Sequence, residues 1–142
     1  MDASEILTKE DAEAILGKPI ENPEVSGAGT TVSTCNYYAA DASGIGLLVR
    51  SAPDSDSARI IFEQARLQSK SMSFVEPQQI AGLGDMAYWA GGNLNQMNVL
   101  EGKYWLIFTV FSGKDRSLEL GKQAAERAIA RLQSMEPLAF ST

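Results

Sequence analysis

The stretch from Ile80 to Ser112 decides the fold: Ile80-Ala-Gly-Leu-Gly-Asp-Met-Ala-Tyr-Trp-Ala-Gly-Gly92, then Asn93-Leu-Asn-Gln-Met-Asn-Val-Leu100, Glu101-Gly-Lys103 and Tyr104-Trp-Leu-Ile-Phe-Thr-Val-Phe-Ser112. Three β-rich runs are separated by glycine turns, the pattern of an antiparallel meander. The third run is apolar at both parities. Trp105, Ile107 and Phe111 share one face; Tyr104, Leu106, Phe108 and Val110 share the other. Such a strand has both faces covered, or one face under helices and the other partly under a partner.

Upstream, Pro53-Asp-Ser-Asp-Ser57 is a polar break rich in N-cap residues, and a helix is expected from Ala58 to Lys70. Ala58, Ile61, Phe62 and Ala65 form its buried stripe, with Arg59, Glu63, Arg66 and Lys70 in solvent. Thr31 to Ala39 and Ile45 to Ala52 are strand-like runs joined at Asp41-Ala-Ser-Gly44 into a hairpin. Glu21 to Thr30 has no periodicity and is expected to be a loop. Thr8-Lys-Glu-Asp11 has the spacing of a capping box, so a short helix should begin there, with Leu7 and Ala12 as its staple. Gly17 is placed to end it, and Pro19 blocks continuation. Residues 1–5 are expected to fray.

Downstream, Ser71 to Gln79 is a connection stopped by Pro77, and Gly113 to Ser117 is an exit turn. The last helix should run from Leu118 to Gln133 and end at Glu136-Pro137, leaving Leu138 to Thr142 as a tail. Its stripe of Leu118, Gly121, Ala125, Ala128 and Leu132, widened by Ala124 and Ile129, is dominated by small residues. Small side chains let a helix lie close to a sheet. The order is therefore α-β-β-α-β-β-β-α: one α+β domain over 1–142, an antiparallel sheet of about five strands with three helices. The inner surface of the meander is expected to be roofed by the Ala58 and Leu118 helices.

A chain of 142 residues with 44% apolar and 21% charged residues is an ordinary single-domain composition. Its net charge of −6 argues against nucleic acid, which needs clustered Lys and Arg, and against docking on anionic membrane surfaces. No apolar run approaches 18 residues, so no transmembrane segment is expected. Cys35 is the one cysteine and reads as a small buried hydrophobe that cannot form an intramolecular disulfide. Histidine is absent, which removes the usual general base and the commonest metal ligand. The start, Met1-Asp-Ala-Ser-Glu5, is acidic and lacks a secretory pattern. A cytoplasmic protein, or a mature or truncated chain with an added Met, would begin this way.

Gly82-Leu-Gly84-Asp85 is followed by a strand, not a helix, so it is a glycine-shaped turn and no dinucleotide loop. Asp54-Ser-Asp56 lacks the closing Glu of a calcium loop and reads as a pair of caps. No nucleophile and base pair up, so no catalytic residue, cofactor or metal ligand is assigned. The candidate partner-binding residues are Tyr88, Trp89, Tyr104 and Trp105. If one parity packs inward, the other presents aromatics outward, suited to a sugar, peptide or protein. The alternative is that these rings fill the core beneath the helices.

Taken together, several segments resemble a family of small bacterial domains of unknown function, often found as exported lipoproteins. The resembling residues are Leu7-Thr8 and Ala14-Ile-Leu-Gly17, Cys35-Asn-Tyr37, Gly82-Leu-Gly-Asp-Met-Ala-Tyr-Trp89, Asn98-Val-Leu-Glu-Gly-Lys103 and the helix from Ala124 to Leu132. Many such lipoproteins carry a second cysteine earlier in the domain, and here it is missing. The resemblance implies a periplasmic or envelope location and a non-catalytic role, and carries over no catalytic residue. Three functions stay open: an interaction module that binds a protein or peptide through a sheet face, a small-ligand pocket or weak hydrolase near Glu21 to Thr30, and a structural module that homodimerises through the sheet.

Overall fold

The glycines shape the meander as the sequence requires. In the computed structural model, which describes residues 1–111 and 116–135, strands β5 (Met86–Ala90), β6 (Gln96–Glu101) and β7 (Tyr104–Phe111) pair antiparallel in sequence. Gly84 has φ +55° and approaches so closely that a Cβ would lie 2.6 Å from the Leu100 carbonyl oxygen. The Asp85 carboxylate caps the neighbouring turn instead of its own, accepting from the Gly102 N–H at 2.8 Å. Strands β2 (Val32–Tyr38) and β3 (Gly44–Ser51) form the expected hairpin, and β3 pairs antiparallel with β7 along its whole length.

Two strands and one helix were not expected. Glu21 to Thr30 is not simply a loop: β1 (Asn22–Ser26) pairs with β2, and Pro23 is tolerated because β1 is an edge strand. A two-residue strand, β4 (Gln78–Gln79), pairs with β5 at the opposite margin. Among the described residues the sheet therefore has seven strands in the order β1-β2-β3-β7-β6-β5-β4, all antiparallel, and there are four helices. The extra helix is α1 (Ala3–Ile6), so residues 1–5 are not frayed. Ala3 and Ile6 are fully buried, Ala3 N–H donates to Ser33 Oγ at 2.9 Å, and Gly29 N–H donates to Asp2 Oδ1 at 2.9 Å.

Helix α2 (Lys9–Leu16) begins with the reciprocal box read from the sequence. Asp11 N–H donates to Thr8 Oγ1 at 3.2 Å, Thr8 N–H donates to Asp11 Oδ2 at 3.0 Å, and Gly17 closes the helix at φ +69°. Helix α3 (Ser55–Ser73) is longer than expected at both ends and is capped by Asp54, whose carboxylate accepts from Ser57 N–H at 2.7 Å. Helix α4 is Ser117–Met135. The exit turn at 113–115 and the segment 136–142, including the expected helix end, lie outside the described residues.

Helices α3 and α4 do not share a face, contrary to expectation. Helices α1, α2 and α4 cover the inner face, packing on Cys35, Tyr37, Leu47, Met97, Leu106 and Phe108. The small residues of α4 let it lie close: a Cβ on Gly121 would come within 3.2 Å of both Met97 and Trp89. Helix α3 crosses from β3 to β4 on the outer face, where Ala58 and Phe62 pack on Tyr88, Ala90 and Leu100. It rests on β5, β6 and the near end of β7. Among the described residues, no helix lies above the outer face of β1, β2 and β3.

Candidate functional site

The two parities of β7 have different fates. Tyr104, Leu106, Phe108 and Val110 are buried under the inner helices. Trp105, Ile107, Thr109 and Phe111 point the other way and are half-buried. Cross-strand register carries this outward row across the sheet: Trp105 lies beside Arg50, Ile107 beside Leu48, and Phe111 beside Gly44. Leu48 pairs onward with Thr34, and Gly44 with Tyr38. Because Gly44 has no side chain, the Tyr38 and Phe111 rings meet above it, with centroids 5.3 Å apart. The result is a strip of bare sheet in which Leu48 and Ile107 on one side and Tyr38 and Phe111 on the other flank a middle row of Asn36, Gly46 and Thr109. Arg50 is the one charged residue among its described positions, with its guanidinium 5.3 Å above the Trp105 ring.

The strip runs into a groove of about 260 Å³ beneath the C-terminal half of α3. Its floor is Tyr88, Ala90, Gln96, Asn98, Trp105 and Ile107; its roof is Ala65, Gln68, Ser69 and Met72, with Leu94 at one end. Ala65 on α3 and Ala90 on β5 are the smallest side chains in its lining. The floor is rigid. Phe62 stacks edge-on against Tyr88 and Trp105, at 5.2 Å and 6.3 Å, and Trp105 Nε1–H donates to Asn98 Oδ1 at 3.0 Å. That bond fixes the Asn98 amide with its oxygen toward the indole.

No charged residue lines the groove. Ser69 is buried to 3% exposure, yet its hydroxyl has no partner among the described residues. The neighbouring Ser73 hydroxyl already occupies the Ser69 carbonyl at 2.9 Å. A buried hydroxyl left unpaired costs on the order of 1–3 kcal/mol, and here the oxygen is closed off from the groove. At the end of α3 lies a second unusual feature. Phe74 takes the left-handed C-cap position at φ +62°, where glycine is favoured, and is 80% exposed.

The four aromatic residues singled out from the sequence divide accordingly. Trp89 and Tyr104 are buried on the inner face and belong to the core. Tyr88 and Trp105 line the groove. Burial pushes the Tyr88 hydroxyl up to about 12, so it stays neutral at physiological pH. Sequence reasoning missed Leu48, Ser69, Ala65 and Ala90. Leu48 was legible in principle as an apolar residue at the outward parity of β3; the alanines were not, because their meaning lies in the space opposite.

The region near Glu21 to Thr30 holds an open depression of about 520 Å³ bordered by Glu21, Glu24, Tyr38 and Ala40. Cys35, the lone thiol, is fully buried, and burial pushes its pKa up to about 11. No group of three or more metal-ligating side chains occurs among the described residues, and none of the described helices is long and apolar enough to cross a membrane. Compared with known proteins, the chain matches no family model, no curated protein and no solved structure.

Proposed function

We propose that this protein is a non-enzymatic interaction module of the bacterial envelope that binds a protein or peptide through the outer face of its sheet. The observation that carries the reading is the continuity between the bare strip, with its apolar Leu48, Ile107, Phe111 and Tyr38, and the uncharged groove under α3. Antiparallel sheets tolerate one face in water, but that face then usually alternates to polar residues. Here Leu48, Ile107 and Phe111 break the alternation. The envelope location rests on the sequence resemblance to exported lipoprotein domains, and fractionation of cells carrying the native gene tests it separately.

The binding reading is tested by selecting displayed peptides on the folded chain, with a Leu48→Glu/Ile107→Glu double variant as counter-target. Both positions are half-exposed, so the variant should retain a cooperative melt. Peptides that bind the wild type at least tenfold better than the variant are expected. Equal binding to both proteins, or no enrichment at all, would overturn the reading.

A further inference from the structure

Inner and outer layers of this sheet are unequally filled. Among the described residues, the inner face holds three helices and the outer face holds α3, above β5, β6 and the near end of β7. The vacancy beside α3 spans β7, β3 and β2. At about 4.8 Å between strands, that strip is about 10 Å wide, the diameter of one α-helix. Its length is set by β3 and β7, eight residues each, or about 27 Å, which a helix of about 18 residues would cover.

Resting on the reading above, we propose that the partner is an amphipathic helix, which lies beside α3 across β7, β3 and β2 and inserts one uncharged apolar side chain into the groove. Three observations choose this occupant. First, the strip is about 270 Å² in plan, well below the ~800 Å² each partner contributes to a stable globular interface. A second copy of this chain meeting it face to face is therefore disfavoured, whereas a single helix reaching sideways under α3 gains the groove as well. Second, the groove holds about 260 Å³, under the ~300 Å³ lower end for small-molecule sites but ample for one large side chain. Third, the walls are uncharged, so a thioether, an aliphatic chain or an indole is accommodated and a carboxylate or ammonium is excluded.

Charge sets the direction of the polar contact. Among the described residues of β2, β3 and β7 on this face, Arg50 is the only charged one, with its guanidinium held over Trp105, while Glu24 of β1 lies beyond the strip's margin beside Asn36. An acidic residue on the helix edge would meet it. The helix should thus show apolar residues at i, i+3 or i+4 and i+7 toward the sheet, and one Asp or Glu opposite Arg50.

The experiment uses peptides of about 18 residues selected on the whole chain, synthesised and alanine-scanned. The expected scan has a period of 3.6, and the peptides gain helical circular dichroism on binding. Ala65→Phe fills the groove and should weaken binding at least tenfold. Arg50→Glu, at an exposed position, should weaken acid-bearing peptides tenfold and be rescued by replacing the peptide acid with Lys. Melting curves accompany both variants, and the exposed Arg50→Glu change keeps the test decisive if Ala65→Phe does not fold. A period of two in the scan, or binding indifferent to both variants, overturns the helical occupant while leaving peptide binding intact. Failure to select any peptide overturns both.

Discussion

Leu7 shows how one residue can tie distant parts of the chain together. Its carbonyl oxygen accepts from the Tyr37 hydroxyl at 2.7 Å and from the Cys35 thiol at 3.7 Å. The link between α1 and α2 is thereby fixed to β2 by bonds with no access to water. Burial raises both hydroxyl and thiol above their ordinary values, so neither ionises at neutral pH. Thiolate is the reactive form. Cys35 should therefore resist a thiol reagent such as dithionitrobenzoate at pH 8 and react fully only in denaturant. Rapid labelling of the native protein would contradict the buried assignment. Phe74 argues the opposite case, since it stands where the backbone favours glycine and its ring is in solvent. Phe74→Gly should raise stability by about 0.5–1 kcal/mol in urea denaturation.

Among the elements, α2 depends on its own N-terminus and on α4 through a single carboxylate. Asp11 is 4% exposed; besides completing the capping box, it accepts from Arg127 at 3.3 Å and pairs with Arg131 at 3.1 Å. Asp11→Ala removes half of the box and the bridge to α4 together, and should cost about 2 kcal/mol in chemical denaturation. Arg127→Met alone leaves the Arg131 pair in place and should cost less. The box at Thr8 and Asp11, the glycine turns and the close-packed α4 were all legible, because each is a local rule with a specific residue attached. Strands β1 and β4 were not. Pro23 and the absence of alternation disguised β1, and two glutamines carry no period at all. Helix α1 is a single turn whose existence depends on burying Ala3 and Ile6 against the sheet, a tertiary effect that no local pattern announces.

At the scale of the whole molecule, the least legible property was the face each helix takes. Periodicity gave α3 and α4 an apolar stripe apiece, but the stripe does not say which side of the sheet receives it. That depends on β3 passing through α3 to the far margin before β7 returns to pair beside it. The candidate site inherits this: Tyr88, in the core beneath α3, and Trp105 lie on the outer side, Trp89 and Tyr104 lie in the inner core, and the groove is outlined by residues of α3, β5, β6 and β7 that no local pattern brings together. The β3–β7 ladder joins the two hairpin systems at the centre of the sheet. Hydrogen exchange should accordingly be slowest at amides of β3 and β7 and fastest at β1 and β4. Comparable protection at β1 would mean that the sheet does not open from its margins.

The blunted margins have a consequence for self-association. One ends in a strand interrupted by Pro23, which lacks a backbone donor; the other ends in only two residues. Lateral ladder growth from copy to copy is denied a template on either side. Contact through the exposed plane instead consumes the surface it uses, so such complexes terminate after one addition and cannot extend into fibres.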